Sequence, residues 1–123
     1  MVLGEGTTRL VLSHGRGRVI KVSLNEDGIA ANRTECQVSA KFPELPITHV
    51  LEHDIHFRWV VAERANITRI IKEADLLYLM DQVSGYIEDL WSGNCGYLRG
   101  SPVVIDYGSI SKSLSKQLSN GNA

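Results

Sequence analysis

The stretch RVIKVSLNEDGIAANRTECQVSAKF, residues 18–42, changes from one backbone periodicity to another. It begins with a run rich in Val, Ile and Leu, as β-strands are, and the NEDG sequence at residues 25–28 is typical of a turn. From residue 29 the apolar side chains recur mostly at helical intervals, and the pattern ends before Pro43. The stretch therefore predicts a strand that carries Lys21, a turn, and a helix of residues 29–42 that carries Glu35.

Strand-like segments flank this stretch on both sides. Residues 9–13 (RLVLS) are separated from residues 18–24 by HGRG, whose glycines can adopt positive φ, so the two segments predict a hairpin. After the helix, residues 47–52 and 55–62 return to strand-forming side chains and predict a second hairpin. We therefore expect an α+β fold in which an antiparallel sheet packs on the helix of residues 29–42.

The second half of the chain begins with another helical pattern. Apolar side chains recur at intervals of three and four from Ile67 to Ile87, which predicts a helix or a helix pair. Residues 102–106 (PVVID) predict a short buried strand, and the Ser-rich residues 109–123 predict a flexible tail. A chain of 123 residues is the size of one domain, so we expect a single unit over residues 1–123.

The composition is that of an ordinary globular protein. Apolar residues make up 43%, charged residues 22%, and the formal net charge is −1, so nothing in the bulk charge indicates a nucleic-acid or membrane partner. No long apolar run and no signal-peptide pattern occur, and we therefore expect a cytoplasmic protein. Cys36 and Cys95 lack the spacing of a disulfide framework or a metal site, so both are expected to be reduced.

Several short motifs follow one another in a particular order. They are GEGTTRLV at residues 4–11, VIK at 19–21, Glu35 on the predicted helix, VVAE at 60–63, DLWSGN at 89–94 and DYG at 106–108. In order and spacing they resemble the motifs of the protein kinase family. The corresponding parts there are the Gly-rich loop, the V-A-I-K strand, its Glu partner, the strand before the hinge, the catalytic loop and D-F-G.

The resemblance implies a strongly shortened protein-kinase-like domain. Its N-lobe would be an antiparallel sheet with one helix, followed by a minimal helical second lobe, and its cofactors would be ATP and Mg²⁺. Matched residue by residue, it implies Gly4, Gly6, Lys21 and Glu63 around the nucleotide, Lys21 held by Glu35, Asp89 as the base, and Asn94 and Asp106 as metal ligands.

The chain also departs from the kinase pattern. Arg9 stands where the third glycine of the loop belongs, and Ile87 and Glu88 replace the His and Arg of H-R-D. No A-P-E motif follows Asp106, so the resemblance does not imply the usual binding of a peptide substrate. Two functions stay open. One is an ATP-dependent phosphotransferase, and the other is a non-catalytic kinase-like module that binds or inhibits a partner protein.

Simpler interpretations of the same residues stay open as well. Lys21 and Glu35 are also compatible with a surface ion pair, and the DYG sequence at 106–108 is common in turns. His49, His53 and His56 have a spacing that could bind Zn²⁺ on a helix. On the predicted hairpin these three side chains diverge, which argues against a zinc site.

Overall fold

The computed structural model describes residues 1–88 and 90–121. Its first half is a five-stranded antiparallel sheet with strand order β1-β2-β3-β5-β4. The strands are β1 (Val2–Glu5), β2 (Arg9–Ser13), β3 (Arg18–Ser23), β4 (Val50–His53) and β5 (Trp59–Glu63). The predicted antiparallel sheet is thereby confirmed.

Two details of the sheet differ from the sequence-based expectation. Strand β1 was not predicted, because its short VLGE sequence lacks a clear alternation of apolar and polar residues. The second hairpin is shifted toward the C-terminus, since residues 54–58 form a turn rather than the start of a strand. The Asp54 carboxylate accepts hydrogen bonds from the backbone N–H and Nε of Arg58 at 3.1 and 2.7 Å, which holds this turn.

Helix α1 (Glu26–Lys41) crosses between β3 and β4 and begins three residues earlier than predicted. Its N-terminus is capped by Asn25, whose Oδ1 accepts the N–H of Gly28 at 3.0 Å. A side chain at Gly28 would collide with the β1–β2 connection, because its Cβ would lie 2.2 Å from the carbonyl oxygen of Thr8. Glycine at this position lets the first turn of α1 pack directly beneath the β1–β2 connection.

The second half contains α2 (Glu73–Val83), a two-stranded hairpin of β6 (Cys95–Leu98) and β7 (Ser101–Val104), and α3 (Lys112–Gly121). The helical pattern of residues 67–87 thus yields one helix in its centre. The predicted strand of residues 102–106 corresponds to β7, and its partner β6 was missed because its CGYL sequence continues a Gly-rich loop. Helix α1 and these elements share one core, which includes Val38, Leu79, Val104 and Tyr107.

The prediction of a flexible tail over residues 109–123 is wrong for most of that segment. Residues 112–121 form α3, and the side chains of Leu114 and Leu118 are only 1% and 6% exposed within the shared core. Apolar residues four apart give this helix one buried face, although its Ser and Lys content suggested a solvated segment. Burial of two leucines supplies the driving force for its packing.

In the part of the chain that the structure describes, no helix combines the length and apolar character needed to cross a bilayer.

Candidate functional site

A cleft of about 720 Å³ lies beside the sheet, between its N-terminal hairpin and the second half of the chain. The β1–β2 hairpin, β3 and the segment after β5 line one side, and residues near the β6–β7 hairpin line the other. Leu3, Val11 and Val19 give part of the wall an apolar surface, whereas Lys21 and Asp106 make another part charged. A cleft with both kinds of surface suits a ligand that is partly apolar and partly charged.

Lys21 lies in this cleft on β3, and the residue is 6% exposed. Its Nζ donates to Oε1 of Glu35 at 2.9 Å and to the carbonyl oxygen of Ile105 at 2.6 Å. The predicted pairing of Lys21 with Glu35 is thereby confirmed, and the alternative of a solvent-exposed surface pair is excluded by their burial. The bond to Ile105 also connects the sheet to the chain that follows β7.

Glu35 is fully buried on α1 and is the centre of the polar network. Besides Lys21, it accepts two bonds from the Arg9 guanidinium at 2.9 Å each and the backbone N–H of Tyr107 at 3.0 Å. Burial alone would raise the pKa of Glu35, but the neighbouring charges of Lys21 and Arg9 outweigh it and lower that pKa to about 2. Glu35 is therefore ionised throughout the physiological range.

Arg9 lies at the centre of the network, although the sequence motifs predicted no role for it. Its guanidinium, 7% exposed, donates to Glu35, to Oδ1 of Asn32 at 3.1 Å and to Oδ1 of Asp106 at 2.9 Å. Burial opposes the charge of Arg9, yet the negative charge of Glu35 raises its pKa above the usual value. The signal that could have identified it was its place in the Gly-rich motif, where an arginine replaces a glycine.

The DYG segment combines one exposed acid with two tightly packed neighbours. The Asp106 side chain is 58% exposed and lines the cleft. The Tyr107 ring is buried, and its hydroxyl donates to the carbonyl oxygen of Thr48 at 2.5 Å. Gly108 packs so closely on α1 that a Cβ there would lie 2.8 Å from the Cβ of Ala31. The segment is therefore anchored against α1 with its carboxylate presented to the cleft.

Asn94 lies in the same cleft as Asp106, as the sequence predicted. The carbonyl oxygen of Asn94 accepts the N–H of Ile105 at 2.8 Å, which places the loop bearing Asn94 beside the start of the DYG segment. Its side-chain Oδ1 accepts the N–H of Trp91 at 3.1 Å. Asp89, the predicted base, lies outside the described residues.

The remaining predicted residues all line the cleft, but they differ in whether their polar groups are available to a ligand. Gly4, Gly6 and Glu63 all line it. The Glu63 carboxylate, however, accepts hydrogen bonds from the backbone N–H of His49 at 2.8 Å and from Arg99 at 3.2 Å. Burial would raise the pKa of Glu63, but these donors lower it. The carboxylate oxygens of Glu63 thus already accept hydrogen bonds within the protein and are poorly placed to bind a ligand.

The residues predicted to hold Mg²⁺ fit a divalent ion poorly in this arrangement. One oxygen of Asp106 is bonded to Arg9, and the side-chain oxygen of Asn94 accepts a backbone N–H. Over residues 1–88 and 90–121, no group of three or more His, Cys, Asp or Glu side chains is placed to hold a metal ion, and this includes the three histidines considered for zinc. The Mg²⁺ site stays a prediction, and the bond from Arg9 to Asp106 opposes it.

No protein-family model matches the chain, and no curated protein matches its sequence. A proposal for its function therefore depends on the geometry of the cleft and on the motifs that line it.

Proposed function

We propose that this chain is a protein-kinase-like domain that binds ATP in the cleft beneath its N-terminal hairpin. The observation that carries the proposal is the buried Lys21–Glu35 pair, at 2.9 Å, on the wall of a cleft that also contains Gly4, Gly6 and Asp106. In kinases a lysine held by a helix glutamate neutralises nucleotide phosphates beneath a Gly-rich loop. The same residue types meet here in one place, although the motifs are spread over most of the chain.

The two surfaces of the cleft suit the two ends of ATP. The apolar side chains of Leu3, Val11 and Val19 offer a surface for the adenine ring, and the end of β5 together with the chain that follows it borders the cleft at residues 63–68. Lys21 offers positive charge to the phosphates at the other end. A volume of about 720 Å³ is enough for a nucleotide, since small-molecule sites have volumes of roughly 300–1,000 Å³.

The proposal concerns binding, and phosphate transfer is a separate question. Transfer would need a base near the acceptor, and the resemblance assigns that role to Asp89. It would also need Asp106 to be available for the reacting phosphates, whereas its carboxylate is paired with Arg9 at 2.9 Å. The arrangement of the described residues therefore supports nucleotide binding more strongly than it supports turnover.

A kinase-like module that binds a partner protein is the second candidate. The observation in its favour is a set of large apolar side chains that are exposed on or near α2: Ile70 at 89%, Leu77 at 58% and Met80 at 47%. Exposed apolar surface of this kind is common where proteins meet. The two candidates are compatible, because α2 is not among the elements that line the cleft.

Thermal unfolding in the presence of ATP tests the proposal. A ligand that binds only the native state stabilises it by RT ln(1 + [ATP]/Kd), so saturating ATP should raise the midpoint of the parent. Lys21→Met should lose most of this shift, measured against its own midpoint without ATP. Lys116→Met, which removes a charge from the exposed surface of α3, should keep the shift. A parent whose midpoint does not change at millimolar ATP would contradict the proposal.

A further inference from the structure

Arg9 contacts Asp106, the carboxylate that the resemblance to protein kinases assigns to a metal ion. Its Nη2 lies 2.9 Å from Oδ1 of Asp106 and 2.9 Å from Oε2 of Glu35, so one guanidinium bridges two carboxylates. Nη1 bonds the other oxygen of Glu35 and the Asn32 side chain. Three of these four bonds hold Arg9 to α1, and only the fourth reaches the exposed acid.

The charges in this cluster balance without a metal ion. Lys21 and Arg9 contribute two positive charges, and Glu35 and Asp106 contribute two negative charges. Removal of Arg9 would leave one net negative charge beside the cleft, which is the condition that attracts a divalent ion. With Arg9 present, a divalent ion on Asp106 would lie only a few ångströms from a buried guanidinium, and like charges at that distance repel strongly.

We propose that Arg9 is the resident cation of the cleft, and that the chain therefore binds the phosphate groups of a nucleotide without a divalent metal ion. This inference rests on the proposed function and specifies the form of the ligand, namely a metal-free nucleoside polyphosphate. It replaces the expectation that Asn94 and Asp106 bind Mg²⁺ together.

The hydrogen bonds of Arg9 also explain how its guanidinium can bind a phosphate group. Its bonds to Glu35 and Asn32 are buried, so the guanidinium stays fixed on α1. The bond to Asp106 is different, because that carboxylate is 58% exposed and can be solvated when it is released. A phosphate oxygen can take the place of the Asp106 oxygen on Nη2, since both are anionic acceptors that suit a guanidinium.

A Mn²⁺ titration followed by electron paramagnetic resonance tests the cation position without any nucleotide. The parent should bind Mn²⁺ no more tightly than millimolar, and Asp106→Asn should leave this weak binding unchanged. Arg9→Gln should bind Mn²⁺ at least about tenfold more tightly, because repulsion from the guanidinium is removed. The further change Asp106→Asn should remove that gain. Arg16→Gln, which removes the same charge from an exposed turn, should behave like the parent.

A second variant covers the case in which Arg9→Gln does not fold. Arg9→Lys keeps a cation beside Glu35, so by the same charge argument it should bind Mn²⁺ as weakly as the parent, and a gain of tenfold or more in this variant would overturn the inference. Micromolar binding of Mn²⁺ by the parent that depends on Asp106 would overturn the inference, and this outcome requires no variant of Arg9. Equal Mn²⁺ affinity in the parent and in folded Arg9→Gln would overturn it as well.

ATP titrations of the parent in EDTA and in excess Mg²⁺ complete the test. The dissociation constants should agree within about threefold, because the guanidinium of Arg9, rather than a metal ion, contacts the phosphate. A loss of more than about tenfold in EDTA would overturn the inference and leave the proposed function intact. Absence of ATP binding in both buffers would contradict the proposed function, and with it metal-free nucleotide binding, while the Mn²⁺ titration would still decide whether Arg9 holds the cation position.

Discussion

Replacement of Glu35 by glutamine should destabilise the fold more than any exposed charge change. Glu35 is fully buried and accepts bonds from Lys21, from both terminal nitrogens of Arg9 and from the N–H of Tyr107. Glutamine has nearly the same shape but no charge, so two buried cations would lose their counter-charge while the packing stays similar. The substitution therefore isolates the electrostatic contribution of the carboxylate.

The magnitude follows from the pKa of Glu35. A decrease from the ordinary value of 4.5 to about 2 means that the folded environment favours the ionised over the neutral carboxyl by about 3 kcal/mol. Removal of one partner of a buried ion pair typically costs roughly 3–5 kcal/mol, which agrees with this figure. We therefore expect Glu35→Gln to lower the free energy of unfolding by about 3 kcal/mol.

Urea denaturation followed by circular dichroism measures this change. With a slope of about 2 kcal/mol per molar urea, the midpoint should fall by about 1.5 M. Glu52→Gln is the matched control, because Glu52 lies on β4 with its side chain exposed, and its midpoint should stay close to that of the parent. A loss below about 1 kcal/mol for Glu35→Gln would show that the charge of Glu35 contributes little to the stability of the fold.

Three further outcomes follow from the structure. Because folding lowers the pKa of Glu35 from 4.5 to about 2, its ionised carboxylate should stabilise the fold fully above pH 4.5, and this stabilisation should be lost as the pH falls toward 2. In an acid titration of the free energy of unfolding, Glu35→Gln should lack this part of the decrease. Leu114→Ala should cost about 2–5 kcal/mol in urea, against a small effect for the half-exposed Leu51→Ala. Gly28→Ala should lower the thermal midpoint although alanine favours helices, because its Cβ would meet the Thr8 carbonyl; a raised midpoint would show that the contact relaxes.

The sequence contained enough information for the sheet and for part of the site. Alternating apolar residues predicted four of the five strands of the main sheet, and the resemblance of the motifs to those of protein kinases implied that Lys21 and Glu35 are partners. These features are local, or they follow a motif with a known arrangement. They are therefore the ones that sequence reasoning reaches most easily.

The features that were missed depend on contacts between distant parts of the chain. Arg9 meets Glu35 and Asp106 across 26 and 97 residues, and no local pattern indicates that one guanidinium bridges both. Helix α3 is similar, because its two buried leucines gain their partners from the shared core rather than from the Ser-rich segment itself. In both cases tertiary packing overrode what the local composition suggested.

Nuclear magnetic resonance of the ¹⁵N-labelled parent during an ATP titration detects nucleotide binding and locates the binding site at the same time. We expect saturable shifts of the backbone amide signals of Gly4, Gly6 and Lys21, which line the cleft, with little change at Lys116 on α3. The same signals should shift in EDTA and in Mg²⁺. Unchanged spectra at millimolar ATP, or shifts confined to α2 and α3, would contradict a nucleotide site in this cleft.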